Sequence, residues 1–217
     1  MLQFGTPKIH RCPKCKKLVL EKTLKETSPD GAVCYSDSRV EAPNHPLLPS
    51  FSRCPYCGRY CWLEDLETLA IGDEITAEEF ANALSYEMMP LDNIAEFIRL
   101  GYADTKFREY KARVALYQNY NDRIRRMLGA SEAELKAALW RDEADKAQWS
   151  ENIDALYALA EELTPEEIPF FAELRRQQGR FDEALAILDK GCEPHYQKAC
   201  DSVRILCELK NPFVFIV

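Results

Sequence analysis

Four cysteines occur in two short motifs of the same form, residues 12–15 (Cys-Pro-Lys-Cys) and residues 54–57 (Cys-Pro-Tyr-Cys). In such a motif a tight turn directs two thiolates at one metal ion, and two turns supply four thiolates. A tetrahedral set of soft, deprotonated sulfurs suits Zn²⁺ and leaves no coordination position open for water. We therefore predict one structural zinc ion with the ligands Cys12, Cys15, Cys54 and Cys57.

A redox dithiol is the alternative interpretation of residues 54–57, because Cys-Pro-Tyr-Cys matches the active-site motif of glutaredoxins. A thioredoxin-like dithiol lies between a strand and a helix. Here Gly58 follows the motif, and the second Cys-Pro-x-Cys motif has no role in a glutaredoxin, so zinc is favoured. Cys34 and Cys61 exceed the four ligands. We interpret both as small buried apolar side chains, and a redox or metal role for them stays open.

A catalytic zinc ion would need an open coordination position and a general base nearby. The sequence contains no His-Glu-x-x-His motif, and Arg53 rather than proline precedes Cys54, unlike the deaminase pattern. A catalytic site would have to recruit His10 or His45. We interpret His10 as a surface residue beside the site and His45 as a loop residue, and we predict no catalytic residue.

Cysteine content and charge divide the chain near residue 64. Residues 1–64 carry 10 Lys and Arg against 6 Asp and Glu, and the remainder carries 18 against 30. Six of the nine cysteines lie in the first 61 residues. We predict an α+β protein in which residues 1–64 form a small β zinc-ribbon module and residues 65–217 form an all-α domain. The 38 residues between Cys15 and Cys54 exceed a compact ribbon, so an enlarged excursion is expected there.

The composition is that of a globular chain, with 47% hydrophobic and 29% charged residues among 217. No apolar run reaches the roughly 18 residues of a membrane span. Residues 1–8 lack the basic start and long apolar stretch of a secretory signal. We expect a cytoplasmic protein that has no membrane partner, and a reducing compartment suits nine cysteines.

Capping patterns and apolar periodicity predict that the second part of the chain is helical. Thr76-Ala77-Glu78-Glu79 has the form of a capping box. The predicted helices cover about residues 76–89, 92–100, 104–128 and 131–163, the last with a bend near residues 149–150. The 104–128 helix carries an apolar stripe that should face the next helix, made of Phe107, Tyr110, Val114, Tyr117, Asn121, Ile124 and Leu128.

Residues 170–188 resemble a tetratricopeptide repeat. The resemblance rests on Gly179 in the turn between two helices, Ala184 where the helices approach closely, and Leu188 at a large apolar position. Arg175 departs from the pattern, because that position is usually aromatic. One repeat cannot bury its own apolar face, so neighbouring helices, including one over about residues 195–209, should complete the stack.

Several polar side chains of the helical part receive structural interpretations. Asn121 on the apolar stripe is expected to fix helix register, and the apolar residues 211–217 are expected to dock on their own domain. Two arginine groups have solvated charge and favourable helix-dipole contacts as their simplest explanations; they are Arg123, Arg125 and Arg126, and Arg175, Arg176 and Arg180.

The double Cys-Pro-x-Cys motif, followed by Cys61-Trp62-Leu63-Glu64-Asp65 and later by residues 179–185 (Gly-Arg-Phe-Asp-Glu-Ala-Leu), resembles uncharacterised bacterial proteins. These proteins join an N-terminal zinc ribbon to a tetratricopeptide-like helical domain. The resemblance implies an architecture and a metal, but no reaction.

Three functional hypotheses follow. The first is a non-enzymatic adaptor whose helical surface binds a protein or peptide, with residues such as Arg175 receiving an acidic group. The second is a nucleic-acid-binding protein that uses Tyr56, Tyr60 or Trp62 for base stacking. Its phosphate contacts would come from the basic residues of the ribbon, namely Lys8, Arg11, Lys14, Lys16, Lys17 and Arg53. The third is a thiol redox enzyme that depends on Cys34 or Cys61.

Overall fold

The computed structural model describes residues 2–69, 75–127, 129–160 and 164–217. The chain forms two compact units, one comprising Met1–Ala32 and Glu41–Tyr102 and the other comprising Val33–Val40 and Ala103–Val217. This division differs from the predicted boundary after residue 64, because residues 65–69 and 75–102 belong to the unit of the cysteine motifs and Val33–Val40 belongs to the helical unit of residues 103–217. The architecture is α+β. Among the described residues, no helix has the length and apolar character needed to cross a membrane.

Short strands occur mainly in the first unit, and Val33–Cys34 and Val40 belong to the second. They are β1 (Gln3–Phe4), β2 (Lys8–Arg11), β3 (Leu18–Glu21), β4 (Leu24–Glu26), β5 (Val33–Cys34), β6 (Val40–Glu41), β7 (Phe51–Arg53), β8 (Tyr60–Trp62), β9 (Thr68–Leu69) and β10 (Leu84–Ser85). The largest sheet has the order β10-β3-β2-β9, in which β10 is parallel to β3 and the other pairs are antiparallel. The pairs β1-β4, β5-β6 and β7-β8 form two-stranded sheets.

Aromatic side chains form much of the first unit's core. Phe97 stacks on Phe51 with ring centroids 4.8 Å apart and meets the edge of Trp62 at 5.6 Å. The Trp62 indole N–H donates to the carbonyl of Tyr102 over 2.8 Å. Because Phe97 and Tyr102 supply half of this cluster, the first unit needs the chain beyond residue 64.

The described helices are α1 (Ala77–Ala81), α2 (Leu91–Arg99), α3 (Lys106–Asp122), α4 (Glu132–Leu139), α5 (Glu143–Ala158), α6 (Ile168–Gln177), α7 (Phe181–Leu188) and α8 (Gln197–Glu208). Three-residue 3₁₀ helices also occur at Leu63–Asp65 and Pro194–Tyr196. The first two α-helices belong to the first unit and the other six to the second.

The predicted helix over residues 76–89 is wrong, although its capping box forms. Thr76 Oγ1 accepts a hydrogen bond from the Glu79 N–H at 3.1 Å, and the Glu79 carboxylate accepts one from the Thr76 N–H at 2.9 Å. The helix nevertheless ends at Ala81, and β10 follows. Tyr86 is buried, and its N–H donates to the carbonyl of Leu20 over 2.8 Å. Strand pairing and the burial of Tyr86 outweigh the local helix propensity.

The region predicted as one bent helix over residues 131–163 forms two helices, and Leu163 lies outside the described residues. The interruption lies at residues 140–142 rather than 149–150, because the Asp142 carboxylate caps α5 by accepting from the Asp145 N–H at 2.8 Å. Trp149 is a buried residue inside α5.

Helix α3 packs against α5, but its buried face differs from the predicted stripe. The helix ends at Asp122, six residues earlier than predicted, and Leu128 is not among the described residues. Phe107 is 63% exposed and contacts Lys111 of its own helix, with Lys111 Nζ 4.5 Å from the ring centre, so the beginning of the stripe is not buried. The buried residues of α3 are Ala112, Leu116, Tyr117, Tyr120 and Asn121.

Two arginines hold the carboxylate of Asp145, which is almost completely buried. Arg123 Nη1 lies 2.5 Å from one carboxylate oxygen, and Arg141 Nη2 lies 2.8 Å from the other. Burial opposes ionisation, but these hydrogen bonds outweigh it and hold the pKa of Asp145 well below its usual range. Arg123 therefore serves this ion pair, beyond the end of α3, rather than the helix dipole alone.

Asp145→Asn is expected to lower the free energy of opening of α5 by about 2–3 kcal/mol at neutral pH. Because the folded pKa is depressed, this stabilisation is present above the unfolded pKa of about 3.9 and is lost as the pH falls through the folded value. Amide hydrogen exchange of Glu143–Ala158 measures it. The difference between variant and wild type should shrink towards pH 3, and Glu143→Gln, at an exposed position of the same helix, should change little. An equal loss at pH 3 and pH 7 would contradict the assignment.

Candidate metal centre

The four cysteine sulfurs predicted as ligands lie together, all within 4.8 Å of one another. Two of the distances between the motifs are 3.6 Å from Cys12 Sγ to Cys57 Sγ and 3.8 Å from Cys15 Sγ to Cys54 Sγ. All nine cysteines are free thiols. A tetrahedral ion with Zn–S bonds of about 2.3 Å places its sulfurs about 3.8 Å apart, so the set has the dimensions of a four-sulfur metal site.

Each cysteine motif lies in the turn of an antiparallel hairpin. The first knuckle, residues 12–17, connects β2 to β3, and the second knuckle, residues 54–59, connects β7 to β8. The strands pair up to the residues that flank each turn. The paired strands hold the two turns in position.

The two knuckles repeat one backbone pattern. The Cys12 N–H donates a hydrogen bond to the Lys17 carbonyl over 3.0 Å, and the Lys16 N–H donates one to the Cys12 carbonyl over 2.9 Å. In the second knuckle the Cys54 N–H donates to the Arg59 carbonyl over 2.8 Å, and the Gly58 N–H donates to the Cys54 carbonyl over 2.9 Å. The turn thereby brings both cysteines of a motif to one side.

The fifth position of each knuckle has left-handed backbone, with φ 62 at Lys16 and φ 73 at Gly58. Only the second knuckle has glycine there. A Cβ on Gly58 would lie 2.7 Å from Nη2 of Arg53, whose Nε donates to the Gly58 carbonyl over 3.1 Å. The backbone angle favours glycine at position 58, and a larger residue there would also have to displace the Arg53 side chain, whereas Lys16 adopts a similar angle in the first knuckle.

The sulfurs lie at the edge of an apolar cluster. Cys12 and Cys54 are buried together with Val19, Leu63 and Tyr86, whereas the second cysteine of each motif is half-buried. This surrounding excludes water from two of the four sulfurs and strengthens their attraction to a cation.

The thiols differ in how readily they ionise. Burial opposes the thiolate of Cys12, but backbone N–H groups of Cys15 and Lys14 and the neighbouring thiols outweigh it and lower the pKa of Cys12 to about 7. Burial raises the pKa of Cys54 to about 12 and also raises that of Cys15. A metal ion bound by all four sulfurs must displace the protons of Cys54 and Cys15, so the affinity for the metal falls as the pH falls.

Exposed basic residues lie within or next to both knuckles in the sequence. A divalent ion with four thiolates would carry a net charge of −2, and Lys14, Lys16 and Arg53 lie within two residues of a ligand cysteine. Lys17 Nζ lies 4.7 Å from the ring centre of Tyr56. The number, spacing and type of the donor atoms therefore fit a zinc ion.

The two remaining cysteines of the N-terminal part lie apart from the four-sulfur set. The Cys61 thiol contacts the Ser52 carbonyl over 3.8 Å, and burial raises its pKa to about 11. Cys34 is exposed, contrary to its interpretation as a buried side chain, and belongs to the second unit. Cys54 and Cys57 are free cysteines, and the sulfur of each lies within 3.8 Å of a sulfur of the other knuckle, which fits a shared four-sulfur site better than an isolated dithiol.

The histidines also lie apart from the sulfurs. His10 is buried, not on the surface as predicted, with Nε2 2.9 Å from Glu21 Oε2 and Nδ1 3.0 Å from the Glu67 carbonyl. These contacts hold β2 and explain the position without a metal. His45 is exposed in a loop, as predicted.

Two of the aromatic residues predicted to stack on nucleic-acid bases are buried. Tyr60 and Trp62 are 5% and 3% exposed, and both belong to the core around Phe97. Tyr56 is half-buried, and its hydroxyl donates to the Asn82 carbonyl and accepts from the Leu84 N–H. Burial therefore disfavours base stacking by Tyr60 and Trp62, whereas Tyr56 is partly accessible.

The sequence does not indicate the buried ion pairs of the second unit. Asp37 is fully buried, and Arg125 binds its carboxylate through Nη1–Oδ1 at 3.1 Å and Nη2–Oδ2 at 2.7 Å. Asn121 adds Nδ2–Oδ2 at 2.9 Å, which is a specific partner rather than a general register role. Arg175 and Arg176 are likewise buried, not solvated. No local pattern around Asp37 signals these pairs, because their partners are distant in sequence.

No protein-family model, no curated protein and no solved structure matches this chain. The chemistry of the four-sulfur set is therefore the basis for a functional assignment.

Proposed function

We propose that this chain is a zinc-binding, non-enzymatic adaptor, in which Cys12, Cys15, Cys54 and Cys57 hold one structural Zn²⁺ and the helical unit binds a protein or peptide. The observation that carries the proposal is the complete four-thiol set. Four protein sulfurs fill a tetrahedral shell, so neither a substrate nor a water molecule has a coordination position. The ion then stabilises the fold, and recognition falls to the protein surfaces.

The packing of α6, α7 and α8 supports a tetratricopeptide-like arrangement. Helices α6 and α7 pack together around the turn at Gly179, and α8 packs against both. Ala184 is fully buried at the approach of the helices, with Leu188 in the same core. Arg175 takes the place of an aromatic residue by lying 3.7 Å from the ring centre of Tyr157.

Exposed apolar residues at the end of the helical unit support a binding role. Ile205 and Leu209 are 56% and 70% exposed, one turn apart, on the side of α8 opposite the buried Val203. Helical repeats bury such a face against the next repeat or a partner. The nine free cysteines suit a reducing compartment, which supports a cytoplasmic location.

An affinity capture with the full chain tests the adaptor proposal. The bait is wild type, the double variant Ile205→Asp/Leu209→Asp, or the control Phe107→Asp, which changes an exposed apolar residue elsewhere. A partner retained by wild type and control and lost from the double variant is the expected result. Identical captures from all three baits would contradict binding through α8, and a chain that turns over a substrate would contradict the non-enzymatic proposal.

Nucleic-acid binding is a second candidate, favoured by the exposed basic side chains on both knuckles. Lys14, Lys16 and Arg59 point away from the core. Because base stacking by Tyr60 and Trp62 is excluded by their burial, such binding would rest on phosphate contacts and would weaken steeply with salt.

Phosphate binding is tested by the double variant Lys14→Glu/Lys16→Glu. If the ribbon binds nucleic acid, the variant should lose affinity for a labelled single strand, and the wild-type affinity should fall as the salt concentration rises. Lys136→Glu, on exposed α4, is the matched control. Wild-type affinity that is insensitive to salt would exclude this candidate.

A further inference from the structure

A buried ion pair in α6 also forms hydrogen bonds with residues 211–213 through its arginine. Glu173 and Arg176 are both fully buried, and Arg176 Nε and Nη2 each lie 2.6 Å from a carboxylate oxygen of Glu173. A buried pair of this kind contributes little net stability, because desolvation offsets the attraction. Arg176 also donates from Nη1 to the carbonyl of Asn211 and from Nη2 to that of Phe213, the latter over 2.8 Å.

Ser36 continues the same set of contacts. Its N–H donates to the Phe215 carbonyl over 2.9 Å, and its Oγ accepts from the Phe215 N–H at 3.2 Å while donating to Glu173 Oε1 over 2.6 Å. The Val217 N–H donates to the carbonyl of Cys34 over 2.9 Å. Residues 211–217, the tail segment, thus dock on their own unit, as predicted.

The contacts follow the repeat of an extended chain. The carbonyls of residues 211, 213 and 215 and the N–H groups of residues 215 and 217 face the groove formed by Cys34, Ser36, Glu173 and Arg176. In an extended strand the main-chain groups of alternate residues face the same side. In the tail segment, the residues of the groove bind these main-chain groups through hydrogen bonds. Recognition of main-chain atoms tolerates different side chains.

Side chains restrict the groove in only a few ways. Phe213 is buried, whereas Ile216 is 49% exposed, and the Arg176 guanidinium lies 5.1 Å from the Phe215 ring centre. The tail segment carries no charged side chain, and the charges of Glu173 and Arg176 neutralise each other. The groove therefore fits an uncharged extended peptide with bulky apolar residues at alternate positions.

The tail segment can leave the groove without disrupting a helix. Helix α8 ends at Glu208, two residues before Lys210, which has φ 51, and Pro212 follows. This short connection joins the segment to α8, and besides the groove contacts described above its Phe215 ring packs against the apolar core of the helical unit. Its covalent attachment gives it a high effective concentration, which a competing peptide has to overcome.

We propose that the groove is a peptide-binding site for an extended, uncharged, apolar segment of a partner protein, and that residues 211–217 are its resident intramolecular ligand. This inference rests on the proposed protein-interaction function and names the chemistry of the partner. A partner segment displaces the tail segment by forming the same main-chain hydrogen bonds with Ser36, Cys34 and Arg176.

The probe for this site is a fluorescein-labelled synthetic peptide of residues 211–217, titrated with full-length chain and followed by anisotropy. Phe213→Ala in the chain weakens the resident ligand and should tighten peptide binding at least about tenfold over wild type. N-methylation of the peptide at the position of Phe215 removes a bonded N–H and should weaken binding about tenfold or more. N-methylation at Val214 or Ile216, whose N–H groups do not face the groove, is the matched control and should change little.

Absence of peptide binding to both chains, or equal effects of all N-methylations, would overturn the inference. If the wild-type chain forms concentration-dependent dimers that dissociate when the peptide is added, the partner assignment is overturned. The occupant of the groove would then be the tail segment of a second copy. If Phe213→Ala does not fold, hydrogen exchange of wild type decides: the amides of Phe215 and Val217 should exchange faster than those of α8, and equal protection would contradict displacement. Each of these outcomes is independent of the capture by α8, which tests the adaptor proposal.

Discussion

Chelation of the metal is expected to unfold the hairpins that carry the two knuckles. The first unit has short strands, and its cluster around Cys12 and Cys54 contains the ligands themselves. Zinc binding at such sites contributes about 10–16 kcal/mol of apparent folding free energy, which the apolar residues of a small module do not replace. Hydrogen exchange measured by mass spectrometry should show lost protection in β2, β3, β7 and β8 after chelation, and its return when Zn²⁺ is added.

Two controls keep this result specific. Helices α6 to α8 provide an internal reference within the same sample, and Cys61→Ser should respond to chelation as wild type does, because Cys61 contacts Ser52 rather than the four-sulfur set. Full protection of both hairpins after the metal has been removed would show that the ion does not hold the fold.

Asp37→Ala is expected to destabilise the second unit by about 3–5 kcal/mol, because it leaves a buried arginine without its anion. The side chains of Asp37 and Arg125 are 0% and 1% exposed. Two guanidinium nitrogens of Arg125 each donate to one carboxylate oxygen of Asp37, which makes the ion pair bidentate. Asp122, whose carboxylate accepts from Arg125 Nε over 2.8 Å, is more exposed and does not replace the buried Asp37 in the variant. Denaturant unfolding followed by the helical circular dichroism signal measures the loss.

The matched control is Asp30→Ala, an exposed aspartate of the same excursion between the knuckles, for which a change of about 0–1 kcal/mol is expected. The double variant Asp37→Leu/Arg125→Met replaces the pair by apolar side chains and should recover most of the loss. If Asp37→Ala unfolds at the same denaturant concentration as the control, the ion pair does not stabilise the helical unit.

The candidate metal site was predictable because its information is local. Each Cys-x-x-Cys spacing defines one turn, and two turns define a four-sulfur set whatever the path between them. The path itself was not predictable. Val33–Val40 leaves the first unit for the second because Asp37 finds Arg125, 88 residues further along the chain, and no local pattern records such a partner.

Errors in the helical predictions have the same origin. The capping box at Thr76 is a sound local signal, but the chain after Ala81 gains more from pairing with β3 and burying Tyr86. Arg176 has the sequence surroundings of a solvated charge, but it is buried against Glu173 and against the tail segment, whose first residue is 35 positions further along the chain. Local patterns thus predicted the helices α2, α6 and α7 well, and long-range burial decided the rest.

Elemental mass spectrometry of the purified chain tests the central claim most directly, with wild type, Cys12→Ser, Cys54→Ser and Cys61→Ser measured side by side. We predict one zinc ion per chain in wild type and Cys61→Ser, and loss of zinc from Cys12→Ser and Cys54→Ser. A wild-type chain without zinc that carries a reversible disulfide between Cys54 and Cys57 would contradict the structural site and indicate a thiol redox protein.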